Sequence, residues 1–274
     1  MNNKENKIAL VTGASSGIGK SMTESLADNG YYVFASARRL KKLEAMKREN
    51  IEPLQMDVSD SKAVIEAVKY IDKTKGHLDI LVNNAGYGIY GTIEGVKQED
   101  IRKAFDVNVF GLGQVTQAVL PMMRNQKSGL IINISSVVGK ISFPFLGWYA
   151  ATKHAVEGYT DALRVEVKPF GIKVVLIEPG SINTGFEEVA MSTLEKSEDP
   201  DVYSKGKKAF TKIVRNSYKS APGPEAVIKE LKKILNSANP RSRYVAGGEG
   251  KLFLTLKNIL SDRFFDNILS RQYK

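Results

Sequence analysis

The chain has 274 residues, 42% hydrophobic and 26% charged, a balance near the soluble globular average and a length suited to one three-layer α/β core. It has no cysteine, which excludes disulfides and thiolate chemistry, and only two histidines, His77 and His154, so no metal site is expected. The net charge of +10 admits nucleic acid, an acidic surface or an anionic ligand as partner, but the lysines and arginines lie mixed with acids at helical spacing, as solvated helix faces do.

The opening, Met1–Lys7, is polar and lacks the apolar run of roughly 7–15 residues that marks a signal peptide. No stretch reaches the about 18 uninterrupted apolar residues of a membrane span. A cytoplasmic protein is therefore expected, with disorder confined to the first six residues. Lys7–Thr12 reads as the first strand. The turn after it, Thr12-Gly13-Ala14-Ser15-Ser16-Gly17-Ile18-Gly19, brings glycine backbone to the N-terminus of the next helix, where unpaired N–H groups and the helix dipole attract an anion such as a pyrophosphate. Its glycines match neither G-x-G-x-x-G nor a P-loop, and an ordinary glycine-rich β–α turn would read the same way in isolation.

The second strand, Tyr31–Ala37, ends in Ala35-Ser36-Ala37-Arg38-Arg39. A carboxylate at this point would hold the ribose 2′-hydroxyl of NAD; none is present. A guanidinium binds a 2′-phosphate bidentately and stacks on adenine, so the cofactor expected is NADP(H), with Arg38 the first choice and Arg39 beside it. The bland alternative is that both arginines merely open a basic helix with Lys41 and Lys42.

Ile51–Met56 forms the third strand, with a helix start at Asp60-Ser61 beyond it, and Asp79–Val82 the fourth, followed by Asn83-Asn84-Ala85-Gly86. Asn108 falls inside a helix. Gly129–Ile134 is the fifth strand, with Ser135-Ser136 after it, and Tyr149-Ala150-Ala151-Thr152-Lys153 opens the next helix. Ile172–Ile177 leads to Pro179-Gly180 and Thr184, Pro224-Glu225 opens a helix to Leu235, and Arg243–Ala246 is the seventh strand. Runs such as Ile80-Leu81-Val82 are apolar at successive positions, as expected of parallel strands covered on both faces. The fold expected is one doubly wound α/β domain over 1–274.

Tyr149 and Lys153 are four apart, hence on one helical face with Cβ atoms roughly 5–6 Å apart. A phenol titrating near about 10 is a poor base at neutral pH, and lowering it by three units takes about 4 kcal/mol of preferential phenolate stabilisation, which Lys153 and an oxidised nicotinamide could supply. Tyr149 would exchange a proton with the substrate oxygen while hydride passes to or from the nicotinamide, with Ser136 bonded to the same oxygen. Singly, each residue has an ordinary reading: Ser136 as a helix cap, Asn108 as a satisfied polar group, Tyr149 as packing, Lys153 as surface charge. His154 and His77 read as structural.

Together, in this order from Lys7 to about Thr184, the motifs resemble those of the short-chain dehydrogenase/reductase family, and within it an NADP-preferring branch similar to hydroxysteroid and retinol dehydrogenases. The resemblance implies a Rossmann-type fold and a serine 13 residues before the tyrosine, which selects Ser136. It implies that Lys153 also holds the ribose hydroxyls and that Asn108 supports a water joining Lys153 to solvent. It places Gly13, Ser15, Ser16, Gly17, Ile18 and Gly19 at the pyrophosphate, Asp57 and Val58 at adenine, Asn84, Ala85 and Gly86 along the adenosine, and Pro179, Gly180, Ile182 and Thr184 on the nicotinamide side. Homo-oligomers are common among such proteins, and one is expected here.

The segment 185–222 would cover the substrate. It carries Phe186, Met191, Tyr203, Phe210 and Tyr218, with Tyr87, Ile89, Tyr90, Phe143, Phe145 and Trp148 elsewhere, so a bulky apolar ketone or alcohol (steroid-, retinoid- or lipid-like) suits it, unless several of these are core. The extension 248–274 has an amphipathic stripe from Lys251, with Leu252, Phe253, Leu256, Ile259, Leu260, Phe264, Phe265, Ile268 and Leu269 among cations; it could pack on the domain, the commonest fate, on a subunit, or on a membrane. Competing functions are an NADP(H)-binding regulator with little catalysis, a reductase of a smaller carbonyl or acyl substrate, and a basic nucleic-acid protein. The last lacks any nucleic-acid motif, so no nucleic-acid partner is expected.

Overall fold

The computed structural model describes residues 7–273; the expectation about the first six residues falls outside that range. Seven strands form one parallel sheet: β1 (Ile8–Thr12), β2 (Tyr32–Ala37), β3 (Ile51–Gln55), β4 (Ile80–Asn83), β5 (Gly129–Ile134), β6 (Ile172–Pro179) and β7 (Arg243–Ala246). All seven expected strands are present, with ends within two residues of those read from sequence. Their order is β3-β2-β1-β4-β5-β6-β7. The chain therefore reverses direction across the sheet between β1 and β4, and the crevice at the carboxyl ends of those strands is where ligands bind in such folds.

Side chains alternate across each strand and feed two cores. Ile8 and Leu10 join Phe34, Leu81, Ile131 and Val174 on one face, under α3 (Ser61–Lys75), α5 (Leu112–Asn125) and α6 (Gly147–Glu166). Ala9 and Val11 join Val33, Ala35, Val82 and Ile132 on the other, against α1 (Gly17–Asp28) and α9 (Glu225–Leu235). This two-sided burial explains why the strands are apolar at successive positions. Asp60 caps α3 by accepting from Lys62 N and Ala63 N, and Pro224 stands at the cap of α9.

Three further features aim the site. The short α2 (Leu40–Glu44) follows Arg38 and Arg39, and α4 (Gln98–Phe105) runs into α5 through a π-helical turn, Asp106–Gly111, that holds Asn108. After β6, the segment 185–222 folds as α7 (Phe186–Lys196) and α8 (Ser204–Lys219), both packed around Phe210. The extension forms α10 (Gly248–Ile259) and α11 (Asp262–Gln272). Phe265 and Leu269 pack with Ile141 on the domain itself, whereas Leu252, Leu256, Ile259, Phe264 and Ile268 stay exposed. The amphipathic stripe thus divides between own-core packing and open surface. No helix of the described residues is long and apolar enough to cross a membrane.

Candidate active site

The crevice between β1 and β4 opens into a cavity of about 1250 Å³ that runs from Arg38 and Asp57 at one end to Phe210 and Tyr273 at the other. At its floor two loops are tied together. The Thr12 hydroxyl accepts from Asn84 N and Ala85 N, both at 3.0 Å, and donates to Val82 O; the Asn84 amide donates to Thr12 O at 2.9 Å. Gly13 is left-handed (φ +67°), and a Cβ there would stand 2.8 Å from Asn84 Nδ2 and 2.9 Å from Ala85 Cα. Only glycine allows the two loops to close up in this way. Ser16 precedes α1 without a side-chain cap, so the first N–H groups of that helix stay open to the cavity, and no acidic residue stands in its first turn to compete for an anion.

At the outer end, Arg38 is largely solvent-exposed and sits 4.0 Å from Asp57 Oδ2, while the other Asp57 oxygen accepts from Ser59 N and its hydroxyl. Arg39 donates to Ser15 Oγ at 2.9 Å and Ser16 Oγ at 3.0 Å. Both arginines precede the basic helix α2, with Arg39 at its cap reaching back to the serines of the glycine-rich loop and Arg38 exposed beside Asp57. The Arg39 contact was not legible in the sequence, because it depends on how α2 leaves the sheet.

Tyr149 and Lys153 come from the first turns of α6, both buried. The Lys153 ammonium donates to Ile134 O at 2.8 Å and lies 5.9 Å from the centre of the Tyr149 ring. Burial pulls Lys153 down to about 8, against the pull of Glu157 one turn along the helix. Burial pushes Tyr149 well above its ordinary value, the Tyr218 phenol raises it further, and the Ser136 hydroxyl beside it lowers it in part. Among the protein's own groups the desolvated pocket outweighs Ser136 at this phenol, and the lowering expected from Lys153 acting together with an oxidised nicotinamide is a separate contribution.

Ser136 donates to Pro179 O at 3.1 Å and accepts from Val138 N, so meeting a substrate oxygen takes one rotation of its hydroxyl. Asn108 is buried, and its amide clamps Tyr87 through two backbone bonds of 3.0 Å and reaches Thr152 Oγ1 at 3.2 Å. It borders no part of the cavity, because its side chain is spent on the loop after β4. Gly19 is likewise set back, packed against Gly13 and Asn84. Every other catalytic or cofactor candidate named from sequence lines the one cavity.

The aromatic candidates divide. Tyr87, Tyr90, Phe143, Phe186, Phe210 and Tyr218 line the cavity; Ile89, Met191 and Phe145 are core, Tyr203 is exposed, and Trp148 donates to Ile93 O. Leu252 and Tyr273 complete the wall from the far end of the chain, where no local pattern pointed to them. His154 bonds its own helix at Ala150 O, as a structural residue does. No group of three or more metal-ligating side chains occurs among the described residues.

One helical turn beyond Lys153 lies a half-buried charge cluster with two buried glutamates: Arg243 reaches Glu157 at 3.0 Å, Asp161 at 2.6 Å and Glu178 at 3.3 Å, with Lys140 3.2 Å from Glu157. Burial, and then the neighbouring Glu157 carboxylate, raise Glu178 to about 7. A carboxyl raised on folding contributes stability that is complete below its unfolded pKa and is lost as pH climbs through the folded one. Stability should therefore fall between about pH 4.5 and 7. Urea unfolding of wild type and Glu178→Gln at pH 5 and pH 8 checks this: the variant should gain about 2 kcal/mol relative to wild type at the higher pH. Equal pH slopes in the two proteins would remove Glu178 as the cause.

The family model for the short chain dehydrogenases matches residues 7–195. The chain belongs to that family. Among short-chain dehydrogenase relatives, it is 38% identical to the 3-ketodihydrosphingosine reductase of Bacteroides thetaiotaomicron, over 88% of each chain. It is 36% identical to the NADPH-dependent 3-dehydrocapnine reductase of Ornithobacterium rhinotracheale, over 98% of each chain. A short-chain dehydrogenase crystal structure from Streptomyces avermitilis superposes with a TM-score of 0.83 at 31% identity, covering 98% of both chains. The protein is thus a short-chain dehydrogenase/reductase with the family's single-domain, seven-stranded parallel fold.

Proposed function

We propose that this short-chain dehydrogenase is an NADP(H)-dependent reductase that converts a ketone on a bulky, chain-like apolar substrate into a secondary alcohol. The observation that carries the reading is the cavity wall beyond Tyr149, where Phe143, Leu146, Phe186, Val189, Phe210, Val214 and Leu252 leave an apolar channel leading away from the reacting oxygen. Of the steroid-, retinoid- and lipid-like classes, the lipid-like one is favoured, because two relatives across most of their length are named as reductases of 3-oxo lipids. The cofactor reading rests on Arg38 at the adenine end, the absence of an acid at the end of β2, and an NADPH-dependent relative.

A bound NADPH would supply the hydride. Gly13 to Gly17 and the start of α1 would hold its pyrophosphate, Arg38 its 2′-phosphate, and Lys153 its ribose hydroxyls. Tyr149, held protonated by burial, donates its phenolic proton to the oxygen on which negative charge develops. Ser136 turns its hydroxyl from Pro179 to the same oxygen. Lys153, brought to about 8, is poised to pass a proton back to Tyr149 after turnover. The reductive direction rests on the relatives named as reductases, since the same phenol serves as acid toward a ketone and as base toward an alcohol.

The test is NADPH oxidation across ketones of rising chain length. Each added methylene should raise kcat/KM about threefold to fourfold until the channel is filled, the amount that burial of one CH2 provides. A flat series, or faster turnover of small polar carbonyls, would overturn the substrate class while leaving the reaction type in place.

A further inference from the structure

The helix that walls the substrate cavity carries no acid. In its 16 residues α8 has Lys205, Lys207, Lys208, Lys212, Arg215 and Lys219, and neither Asp nor Glu. Lys207 is taken by Asp199 at 2.8 Å. The other five recur every three or four residues, which places them on one face, and none of them enters an ion pair among the described residues. Ile213, Asn216 and Ser220, on the adjoining flank of the same helix, border the cavity, so the cation stripe runs along its mouth.

Apolar side chains also stand at the mouth. Val189 of α7, Ile213 of α8 and Leu252 of α10 all line the cavity, yet they are 51%, 37% and 61% exposed. From Leu252 the exposed stripe continues through Leu256 and Ile259 at one and two turns along α10. Val202, just before α8, is 85% exposed. The end of the chain links these patches, since Tyr273 packs on Phe145 and lies against Gly206 of α8.

We propose that this face docks on an anionic lipid bilayer, the five cations of α8 meeting lipid phosphates while the apolar rim of the cavity enters the headgroup boundary. Interfacial binding needs both elements together, cations for the surface potential and apolar side chains for the acyl boundary. A second copy of the chain would set five more cations against the first five, and a nucleic acid would leave the apolar rim uncovered. With the mouth on the bilayer, an apolar substrate reaches Tyr149 without crossing water.

The test is sedimentation of the full chain with vesicles of phosphatidylcholine alone and of phosphatidylcholine with phosphatidylglycerol. Each cation near an anionic surface strengthens binding roughly fivefold. Lys208→Glu/Lys212→Glu/Arg215→Glu should therefore bind the anionic vesicles about 100-fold more weakly or worse, while retaining NADPH binding and turnover of a water-soluble carbonyl. Leu256→Ser/Ile259→Ser should weaken binding with no change in its salt dependence. Wild type that sediments equally with both vesicles or with neither, or a charge variant that binds as wild type does, overturns the proposal. So does retention on duplex DNA without retention on vesicles. Because docking is read without turnover of the proposed substrate, its failure leaves the reductase reading standing.

Discussion

Tyr149→Phe is expected to lower kcat for ketone reduction by about 10²–10⁴-fold or more while leaving NADPH affinity within about twofold. The variant removes one oxygen from a fully packed position and keeps the ring, with its tilted contact to Phe186 at 5.6 Å, so the fold has no reason to respond. What is lost is the only phenolic proton held next to both Ser136 and Lys153. Neither of these substitutes for it: Ser136 is a weaker acid, and the Lys153 ammonium lies one helical turn behind the phenol, with one proton on Ile134 O. Steady-state rates with cofactor fluorescence titration separate the two effects. Full turnover in the variant would remove Tyr149 from the chemistry.

Arg38→Ala is expected to weaken NADPH binding by about 10–100-fold and to leave NADH binding nearly unchanged, the range of a charge-assisted contact to a phosphate. The cation is largely solvent-exposed and its carboxylate neighbour is 4.0 Å away, so it gives up little to turn toward a 2′-phosphate. Arg39 differs. Its bonds to Ser15 and Ser16 make it a brace of the phosphate loop, and its loss should weaken both cofactors alike. Titration of both variants with both cofactors distinguishes the cases; an unchanged NADPH/NADH ratio in Arg38→Ala would take that residue out of cofactor selection.

The sheet was legible because a parallel strand covered on both faces is written in short runs of successive apolar residues, as in Ile80–Val82 and Leu130–Ile132. The cradle, the cofactor arginines and the tyrosine–lysine pair were legible because each is local: a turn, a strand end, one helical turn. What escaped was set by tertiary placement. The clamp of Asn108 on Tyr87 depends on a π-helical turn that no local pattern announces, and Leu252 and Tyr273 reach the cavity from the far end of the chain. The desolvation of the Tyr149 phenol escaped for the same reason, since spacing brings the lysine near but says nothing about burial. Even the division of aromatic residues between wall and core was undetermined by type, as Phe210 and Phe145 stack on each other with only the first facing the cavity.

The Thr12 hydroxyl, which joins the loop after β1 to the loop after β4, bears on the cost of binding. Two surface loops ordered by a ligand would charge their lost freedom against its affinity. Here both lips of the groove are held by a side chain one residue inside the sheet. The dinucleotide therefore meets a preorganised slot, and more of its contact energy remains for aligning the reacting carbon with Tyr149. Amide exchange at Asn84 and Ala85, whose N–H groups donate to Thr12, should accordingly be slow before the cofactor arrives and change little after.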